Sequence, residues 1–523
     1  MRSNNNRYLR QAIRTALTGG LVLGYCSSAA YADLGSTGFT AGNLVISTVS
    51  GNTLDAASPI TLQQYALSNN GTTATLNGSM VLAQTNNGSN SAISGEYGTA
   101  SEGILQQSTN GKYLTLMGYG VNAANFNSYA GTTTSPYGTT ALGQTTSLTA
   151  AQQNVATPLN TVSRVVALIG ANGNVNTSTA LTGVFNTNNP RSVATVDGSS
   201  FYVAGQGATK TDTATQGVFY TTLGATTATQ VYSATDSRVV EIAKTPSFNA
   251  ATTTNTLLAS RDSNPSGTAT PTNPSVADVS ILKDATGAMP TSAAGVTDTI
   301  VVPSTGAPKF QDTITVTTGN ENGVNNSRLG SFVYLSPEQY FFASTNGGTN
   351  NVMYVADSGQ PKNGSAGAAG LGEGGLQKWE LTSNGNWVLD YDLVAGLNLV
   401  DNKNANSATP TAPGVTGLFG LTGEVVTING VQVVELFATS YGLNELSTSY
   451  LYEITDNLAN KTIAGAANEV ATVLETAPTG VAIRGVAFAP TAAVAAVPLP
   501  PSLLMMLTGI GLTGWLGKRN KRS

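Results

Sequence analysis

The sequence contains no histidine, and its single cysteine, Cys26, lies near the N-terminus. Ser-His-Asp and Cys-His catalysis are therefore excluded, as are imidazole and thiolate metal sites. Charged residues make up only 10% of the chain, against an ordinary share of about 25%. The net charge of -5 argues against nucleic acid as a partner, because phosphate binding requires clustered Lys and Arg. No metal and no cofactor is predicted.

Helical periodicity is also absent between residues 33 and 490, beyond runs of a few residues. Short alternating apolar segments recur instead, separated by Asn-Gly or Asp-Gly pairs, which are the strongest local signal for tight hairpins. Such hairpins are predicted at Asp197-Gly198, Asn384-Gly385 and Asn429-Gly430. Further strands are predicted at 113–117, 164–169, 238–242, 332–335, 352–355, 451–454 and 486–488. The body is therefore predicted to be all-β.

The many short strands must hide their edges in a sandwich, a solenoid or a propeller. Four strand candidates begin with an Arg-x-Val pattern, and a second strand follows each of them. The arginines of the pattern are Arg164, Arg191, Arg238 and Arg484. Units of four strands fit this pattern better than the short turns of a β-helix. We therefore predict a β-propeller of seven blades, with six or eight as the nearest alternatives. Residues 43–49 are predicted to pair with the last blade and close the ring.

The C-terminus carries a short proline motif, an apolar run over residues 503–517 and a basic end. The motif is Val497-Pro498-Leu499-Pro500-Pro501-Ser502, and the basic residues are Lys518, Arg519, Lys521 and Arg522. In order and position these features resemble the PEP-CTERM sorting signal of Gram-negative bacteria, although Leu499 stands where that family has glutamate. The resemblance implies exosortase as a partner and a hydrophobic C-terminal helix that holds the chain in the membrane before processing. An ordinary membrane anchor is the alternative, but the run is short against the roughly 20 residues that span a bilayer.

The N-terminus has the pattern of an export signal. Four arginines precede an apolar stretch at 16–25, and Ala30-Tyr31-Ala32 matches a signal-peptidase site. Residues 1–32 are therefore predicted to be a signal peptide with an N-terminal helix. The predicted organisation continues with a body at 33–490, an Ala-rich linker at 491–497 and the sorting signal at 498–523. The protein is predicted to pass through the periplasm or inner membrane to the outer surface or medium.

Three polar stretches, at 122–153, 260–299 and 402–416, are too long for ordinary hairpin loops. We interpret them as partly disordered insertions, either solvated loops or acceptors of sugars. The body also resembles uncharacterised secreted bacterial β-propeller proteins that carry the same tail. This likeness depends on the segments 113–116, 163–166, 354–357, 377–379 and 484–490.

Candidate functional residues are arginines and carboxylates. If each Arg-x-Val strand is the innermost of its blade, Arg164, Arg191, Arg238 and Arg484 line one channel mouth and attract an anion; hydrogen bonds between blades are the alternative role. Asp390 and Asp392 share one face of a predicted strand, and Asp357 follows another. A glycosidase needs two carboxylates that flank a sugar bond, and only the fold can bring them together. The motif Gly370-x-Gly372-x-x-Gly375 opens a predicted strand rather than a helix, so it does not indicate a dinucleotide site.

Two functions remain. The first is an exported surface or matrix protein with a binding or structural role linked to biofilm or exopolysaccharide. The second is a carboxylate-based hydrolase or lyase acting on polysaccharide. Aromatic residues around two convergent acids would favour the enzyme, and a shallow rim without convergent acids would favour the binding protein. Trp379 and Trp387 are expected in the core, because both lie in predicted strands.

Overall fold

The computed structural model describes residues 31–492, with gaps. The gaps are 54–55, 99–100, 131–141, 144–161, 187, 209–211, 235, 247–252, 264–275, 303–312, 316–331, 335, 346–348, 360–373, 384, 386, 398, 400–414 and 443–446. The predicted signal peptide up to Ala30 and the sorting motif, with Val497, Pro498, Pro500, Pro501 and Ser502, lie outside the described residues, as do both predicted terminal helices. No helix within the described ranges is long and apolar enough to cross a membrane.

The described strands form six sheets of four or more strands, which we number as blades 1 to 6, and one two-stranded ribbon. Blade 1 contains β1 (Ala32–Asp33), β2 (Leu44–Ser50), β4 (Thr61–Ser68), β5 (Thr73–Val81) and β29 (Val481–Phe488). Blade 2 contains β3 (Ala57–Pro59), β6 (Ser94–Glu96), β7 (Gln106–Gln107), β8 (Tyr113–Tyr119), β9 (Arg164–Gly170) and β10 (Val175–Leu181).

The other four blades follow one another along the chain as simple antiparallel meanders. Blade 3 contains β11 (Pro190–Ala194), β12 (Ser200–Gly205), β13 (Gly217–Thr222) and β14 (Thr229–Tyr232). Blade 4 contains β15 (Ser237–Pro246), β16 (Thr253–Ser263), β17 (Val276–Lys283) and β18 (Thr297–Val302), and the ribbon β19 (Thr313–Thr315) and β20 (Phe332–Tyr334) follows it. Blade 5 contains β21 (Pro337–Thr345), β22 (Thr349–Asp357), β23 (Gly375–Leu381) and β24 (Trp387–Leu393). Blade 6 contains β25 (Val415–Ile428), β26 (Val431–Gly442), β27 (Tyr450–Asn457) and β28 (Thr472–Thr476). In the described part of the chain two short helices, Leu34–Thr37 and Ala123–Ala130, accompany blades 1 and 2.

The six blades form a ring that is closed by the two ends of the body. The C-terminal strand β29 pairs antiparallel with β2, with Leu44 opposite Phe488 and Ser50 opposite Val481. The predicted closure by residues 43–49 is therefore confirmed. The prediction of seven blades is wrong, because it divided the body evenly, whereas blade 1 takes strands from both ends and long connections separate other strands.

Six apolar clusters occupy the six interfaces between neighbouring blades. One cluster joins Val193 and Phe201 of blade 3 to Met117 and Leu168 of blade 2. Corresponding clusters join blades 1 and 2, 3 and 4, 4 and 5, 5 and 6, and 6 and 1. The core is thus a ring of packed sheet faces, and burial of these faces is its main stabilising contribution.

Most of the predicted local elements are present. Asn429 and Gly430 both have positive φ, at 51° and 81°, as the tight turn between β25 and β26 requires. Trp379 and Trp387 are 3% and 4% exposed and belong to the core between blades 4 and 5, as expected. The interpretation of 260–299 as an insertion is wrong, since β17 crosses it and pairs with both β16 and β18. Only short alternating apolar positions mark β17, and the Thr- and Pro-rich sequence around it conceals them.

Candidate functional site

All six blades contribute to a cavity of about 180 Å³ on the axis of the ring. Its walls come from the innermost strands β7, β11, β15, β21, β25 and β29 and include Gln106, Thr195, Glu241, Gln339 and Val486. Amide and hydroxyl groups dominate the polar part of this wall. We call this space the channel cavity. Because every blade contributes to it, the channel cavity is the first candidate for a binding or active site.

Arg191 and Arg238 lie on innermost strands, but both are held in ion pairs. The Arg238 Nη1 atom is 2.7 Å from Glu338 Oε1 of blade 5, and Arg191 of blade 3 forms an ion pair with Asp236, which precedes β15. Asp236 also lies 3.5 Å from Arg238 Nε. The arginines are 5% and 7% exposed. Carboxylates therefore compensate their charge, and the pairs join neighbouring blades.

Arg164 lies on β9, which is not the innermost strand of blade 2, and it is fully buried. Its Nη2 atom donates to the carbonyl oxygens of Gly143, Phe185 and Asn188 at 2.7, 3.1 and 2.6 Å. The guanidinium also lies 4.7 Å from the centre of the Tyr119 ring. Arg164 is thus placed to hold connections together, and it is not brought to a channel mouth with the other arginines.

Arg484 lies on the innermost strand β29 and faces the acidic pair Glu96 and Glu102. Burial and the neighbouring Glu96 raise the pKa of Glu102 to about 8, while Arg484 opposes that shift. The Tyr119 hydroxyl donates to Glu102 in a short hydrogen bond. The adjoining cavity, about 10 Å³ in volume, is lined by Glu96, Glu102 and Arg484 and has room for about one water molecule. It is too small for a sugar.

An apolar cluster blocks the channel along the axis of the ring. Ile104, Val239, Phe419 and Tyr441 come from blades 2, 4 and 6, and all four are buried. Blades 2, 4 and 6 are not neighbours in the ring, so contact among these side chains must cross the channel. The ring is therefore not an open pore at this level.

Glu241 is the one carboxylate among the described residues that line the channel cavity. Burial raises its pKa to about 8, and its Oε2 atom has no hydrogen-bond partner in the described part of the chain. Tyr340, whose hydroxyl lies 3.5 Å from the Val239 carbonyl oxygen, faces it from blade 5. A single isolated acid cannot supply the pair of carboxylates that glycoside hydrolysis requires.

The predicted carboxylates Asp357, Asp390 and Asp392 line neither the channel cavity nor the groove described below. Asp357 accepts hydrogen bonds from the backbone N–H groups of Ser336 and Gly359 and from Gln377 Nε2, at 3.1, 2.8 and 2.7 Å. It therefore organises the end of β22.

Asp392 of β24 lies opposite Gln377 of β23 and is 3% exposed. Asp390 occupies a register shift on the same strand, and burial together with Glu380 raises its pKa to about 7. The two residues predicted to share one face of the strand thus lie in different environments: Asp392 is buried and Asp390 is partly exposed.

A larger groove of about 700 Å³ lies outside the channel, at the ends of β8, β9 and β10. It contains the exposed Lys112, the partly buried Tyr113 ring and a group of amides, and the described residues lining it include no carboxylate. The amides are Asn90, Asn172, Asn174 and Asn176. We call this the amide groove.

Local hydrogen bonds shape the amide groove. Asn172 Oδ1 accepts from the Asn174 backbone N–H at 3.1 Å, and Asn90 Oδ1 accepts from the Thr177 backbone N–H at 2.8 Å. Gly173 has φ of 80°, and a Cβ there would lie 2.0 Å from the Leu34 carbonyl oxygen. The asparagine-rich turn is therefore held in one shape. In the sequence this turn is marked by Asn172-Gly173 followed by two alternating asparagines, a pattern that is not among the predicted sites.

The last described residues, Thr491 and Ala492, form part of the same groove. The Thr491 backbone N–H and hydroxyl both donate to the Gly111 carbonyl oxygen, at 2.7 and 3.0 Å. The described chain thus ends beside Gly111 and Lys112.

Comparisons with known proteins do not assign a family. No family model and no curated protein matches the chain. Among solved structures it is similar to a Trypanosoma rangeli sialidase in complex with sialic acid, at 10% identity and a TM-score of 0.28, covering 82% of this chain and 59% of the sialidase. The same sialidase with the inhibitor DANA gives 8% identity and a TM-score of 0.21, covering 73% and 56%. The chain spans less than two thirds of the sialidase, and similarity this low identifies no function.

Proposed function

We propose that this chain is an exported β-propeller that binds polysaccharide through its amide groove, as a component of the cell surface or extracellular matrix linked to exopolysaccharide. The observation that carries the proposal is the composition of the groove, with four asparagines, one tyrosine ring and one lysine in a space of about 700 Å³. The asparagine amides supply N–H donors for sugar hydroxyl and carboxylate oxygens, whereas the Oδ1 atoms of Asn90, Asn172 and Asn176 already accept local backbone hydrogen bonds.

The charge of the groove favours an acidic polysaccharide. Lys112 is exposed, and no aspartate or glutamate is found with it among the described residues of the groove. A carboxylate on a sugar would therefore meet a cation and amide donors without like-charge repulsion. The Tyr113 ring adds an apolar surface against which a sugar face can pack.

The predicted export and sorting signals agree with a role in surface display. The described chain ends at the groove, where the predicted linker 491–497 begins, and exosortase would act on the proline motif beyond it. A ligand bound in the groove would then lie near the point of attachment. This arrangement suits a protein that holds polysaccharide at the surface.

The alternative, a carboxylate-based hydrolase or lyase, has less support. It needs two acids at one open site, and Glu241 is the single acid among the described residues that line the channel cavity. The arginine cluster does not favour an anion site at the channel either, because Asp236 and Glu338 neutralise Arg191 and Arg238.

Binding of the secreted protein to a uronate-containing polysaccharide, measured by calorimetry, tests the proposal. Lys112→Met should weaken binding by about tenfold or more, since a charged hydrogen bond contributes about 1.5–3 kcal/mol. Lys283→Met, on β17 of blade 4 and away from the groove, is the matched control and should bind like the wild type. Equal binding by both variants would refute the groove as the site. Release of reducing ends from the polysaccharide would instead support the hydrolase.

A further inference from the structure

Lys378 and Asp456 form a buried pair between blades 5 and 6. Lys378 lies on β23 and Asp456 on β27, and the lysine Nζ atom is 2.7 Å from Asp456 Oδ2. The two side chains are 1% and 0% exposed. A lysine is rarely buried to this extent without a specific partner. The pair is therefore held in contact away from solvent.

The surroundings fix both groups in one geometry. Tyr391 donates to Asp456 Oδ1 at 2.7 Å, and Tyr354 donates to Oδ2 at 2.5 Å. Lys378 Nζ also lies 2.9 Å from the Tyr391 hydroxyl. It contacts two carbonyl oxygens as well, those of Asn457 at 3.0 Å and Asn460 at 2.8 Å. These contacts alone describe a well-satisfied ion pair, and they also orient the amine towards the carboxyl group.

A second acid lies beside the pair. Glu469 shares a hydrogen bond with Asp456, and burial and Asp456 together raise its pKa to about 8. Glu469 Oε1 accepts from the Asn457 backbone N–H at 3.1 Å and from Asn460 Nδ2 at 2.7 Å, which hold the group in place. A carboxyl that keeps its proton at neutral pH can donate it to Asp456 and recover one from the amine.

We propose that Lys378 and Asp456 condense into an intramolecular amide bond, with Glu469 transferring the protons. Nζ attacks Cγ of Asp456, the new C–N bond forms, and one C–O bond of the carboxyl group breaks. Two protons from the lysine nitrogen leave with that oxygen as water, relayed through Glu469. An ammonium and a carboxylate thus become an amide and one water molecule. Nothing is oxidised or reduced, and no co-reactant is needed.

Proximity is the physical basis for the reaction. Groups fixed in a productive geometry react as if at effective concentrations of about 10⁵–10⁸ M. The site is closed to solvent, so water does not compete for the carboxyl group. The product would join blades 5 and 6 covalently in a chain whose body has no cysteine for a disulfide.

Mass spectrometry of the full protein after folding tests this bond. Peptide mapping should recover a branched peptide that joins Lys378 to Asp456, with a mass one water molecule below the sum of its two parts. Glu469→Gln keeps the shape of the side chain but removes its acid, and should yield mostly the unbranched peptides. In Asp456→Asn the same attack would expel ammonia, so the mass difference would identify which atoms leave.

The outcome in the wild type decides the matter without any variant. Recovery of Lys378 and Asp456 only in separate, unmodified peptides from folded protein would overturn the proposal and leave an ordinary buried ion pair. If Glu469→Gln forms the bond as completely as the wild type, the assigned role of Glu469 is wrong. Lys378→Arg, which cannot form the amide, provides the unbranched reference peptides.

Discussion

Replacing Glu241 with glutamine should remove one source of pH dependence from the stability of the propeller. The pKa of Glu241 is about 8 in the folded protein, against an ordinary value of 4.5. Below pH 4.5 the carboxyl is protonated in both states and costs nothing. As the pH rises, the unfolded chain releases the proton first, so the free energy of unfolding falls until the pH passes about 8.

The size of the effect follows from the shift. Each pKa unit corresponds to about 1.36 kcal/mol, so the full shift would cost about 5 kcal/mol above pH 8. Part of the unfolded-state titration is already complete at pH 5, and solvent that enters the channel cavity would reduce the penalty further, so we expect about 2 to 4 kcal/mol at pH 9 relative to pH 5. The amide introduced by Glu241→Gln keeps the shape of the side chain and carries no charge to desolvate.

Denaturant unfolding of both proteins between pH 5 and pH 9 measures this difference. Glu102, Glu469 and Asp390 titrate in the same range, but they are present in both proteins and cancel when one profile is subtracted from the other. Asp284→Asn is the control, because Thr286 lowers the pKa of that exposed acid and its titration ends below the range. Parallel profiles for the wild type and Glu241→Gln would show that Glu241 is not desolvated, and the reasoning would fail.

Two further outcomes follow from the structure and the sequence. Arg238→Ala should lower the free energy of unfolding by about 3–5 kcal/mol, because it leaves Glu338 buried without its cation; Lys461→Ala, which removes an exposed partner of Glu380, should cost less than about 1 kcal/mol. An unchanged melting temperature in Arg238→Ala would exclude the structural role. Mass measurement of the mature protein should place its start at Asp33 and show loss of the chain after the proline motif, and detection of Met1 or Ser523 in the secreted form would contradict both predicted processing steps.

The strands and hairpins could be predicted because their signals are local. The turn at Asn429-Gly430 needs positive φ at two successive residues, and asparagine and glycine are the residue types that adopt positive φ most readily. The number of blades is not local. It depends on which strands share a sheet, and β2 and β29 pair although they come from opposite ends of the body. Composition could not show that β17 continues blade 4 through a polar stretch.

The candidate sites were predictable only in part. Arg191, Arg238 and Arg484 do lie on innermost strands, but their partners come from other blades. Glu338 is 100 residues from Arg238 along the chain, and no spacing rule connects them. The amide groove was missed for a related reason, since its walls come from separate turns and from the C-terminal end of the body.

The chain has few charged residues, and several of them form ion pairs in the interior of the ring. Arg191 pairs with Asp236 across blades 3 and 4, and Arg238 pairs with Glu338 across blades 4 and 5.

Because such buried pairs are matched to specific neighbours, we infer that they help to set which blade packs against which, a role attested for buried polar groups in other proteins. Charged residues make up only 10% of the chain, so an exposed cation such as Lys112 has few other charges to compete with. A mostly neutral exterior with a cationic groove would select an acidic polysaccharide by the position of that charge rather than by the net charge of the protein.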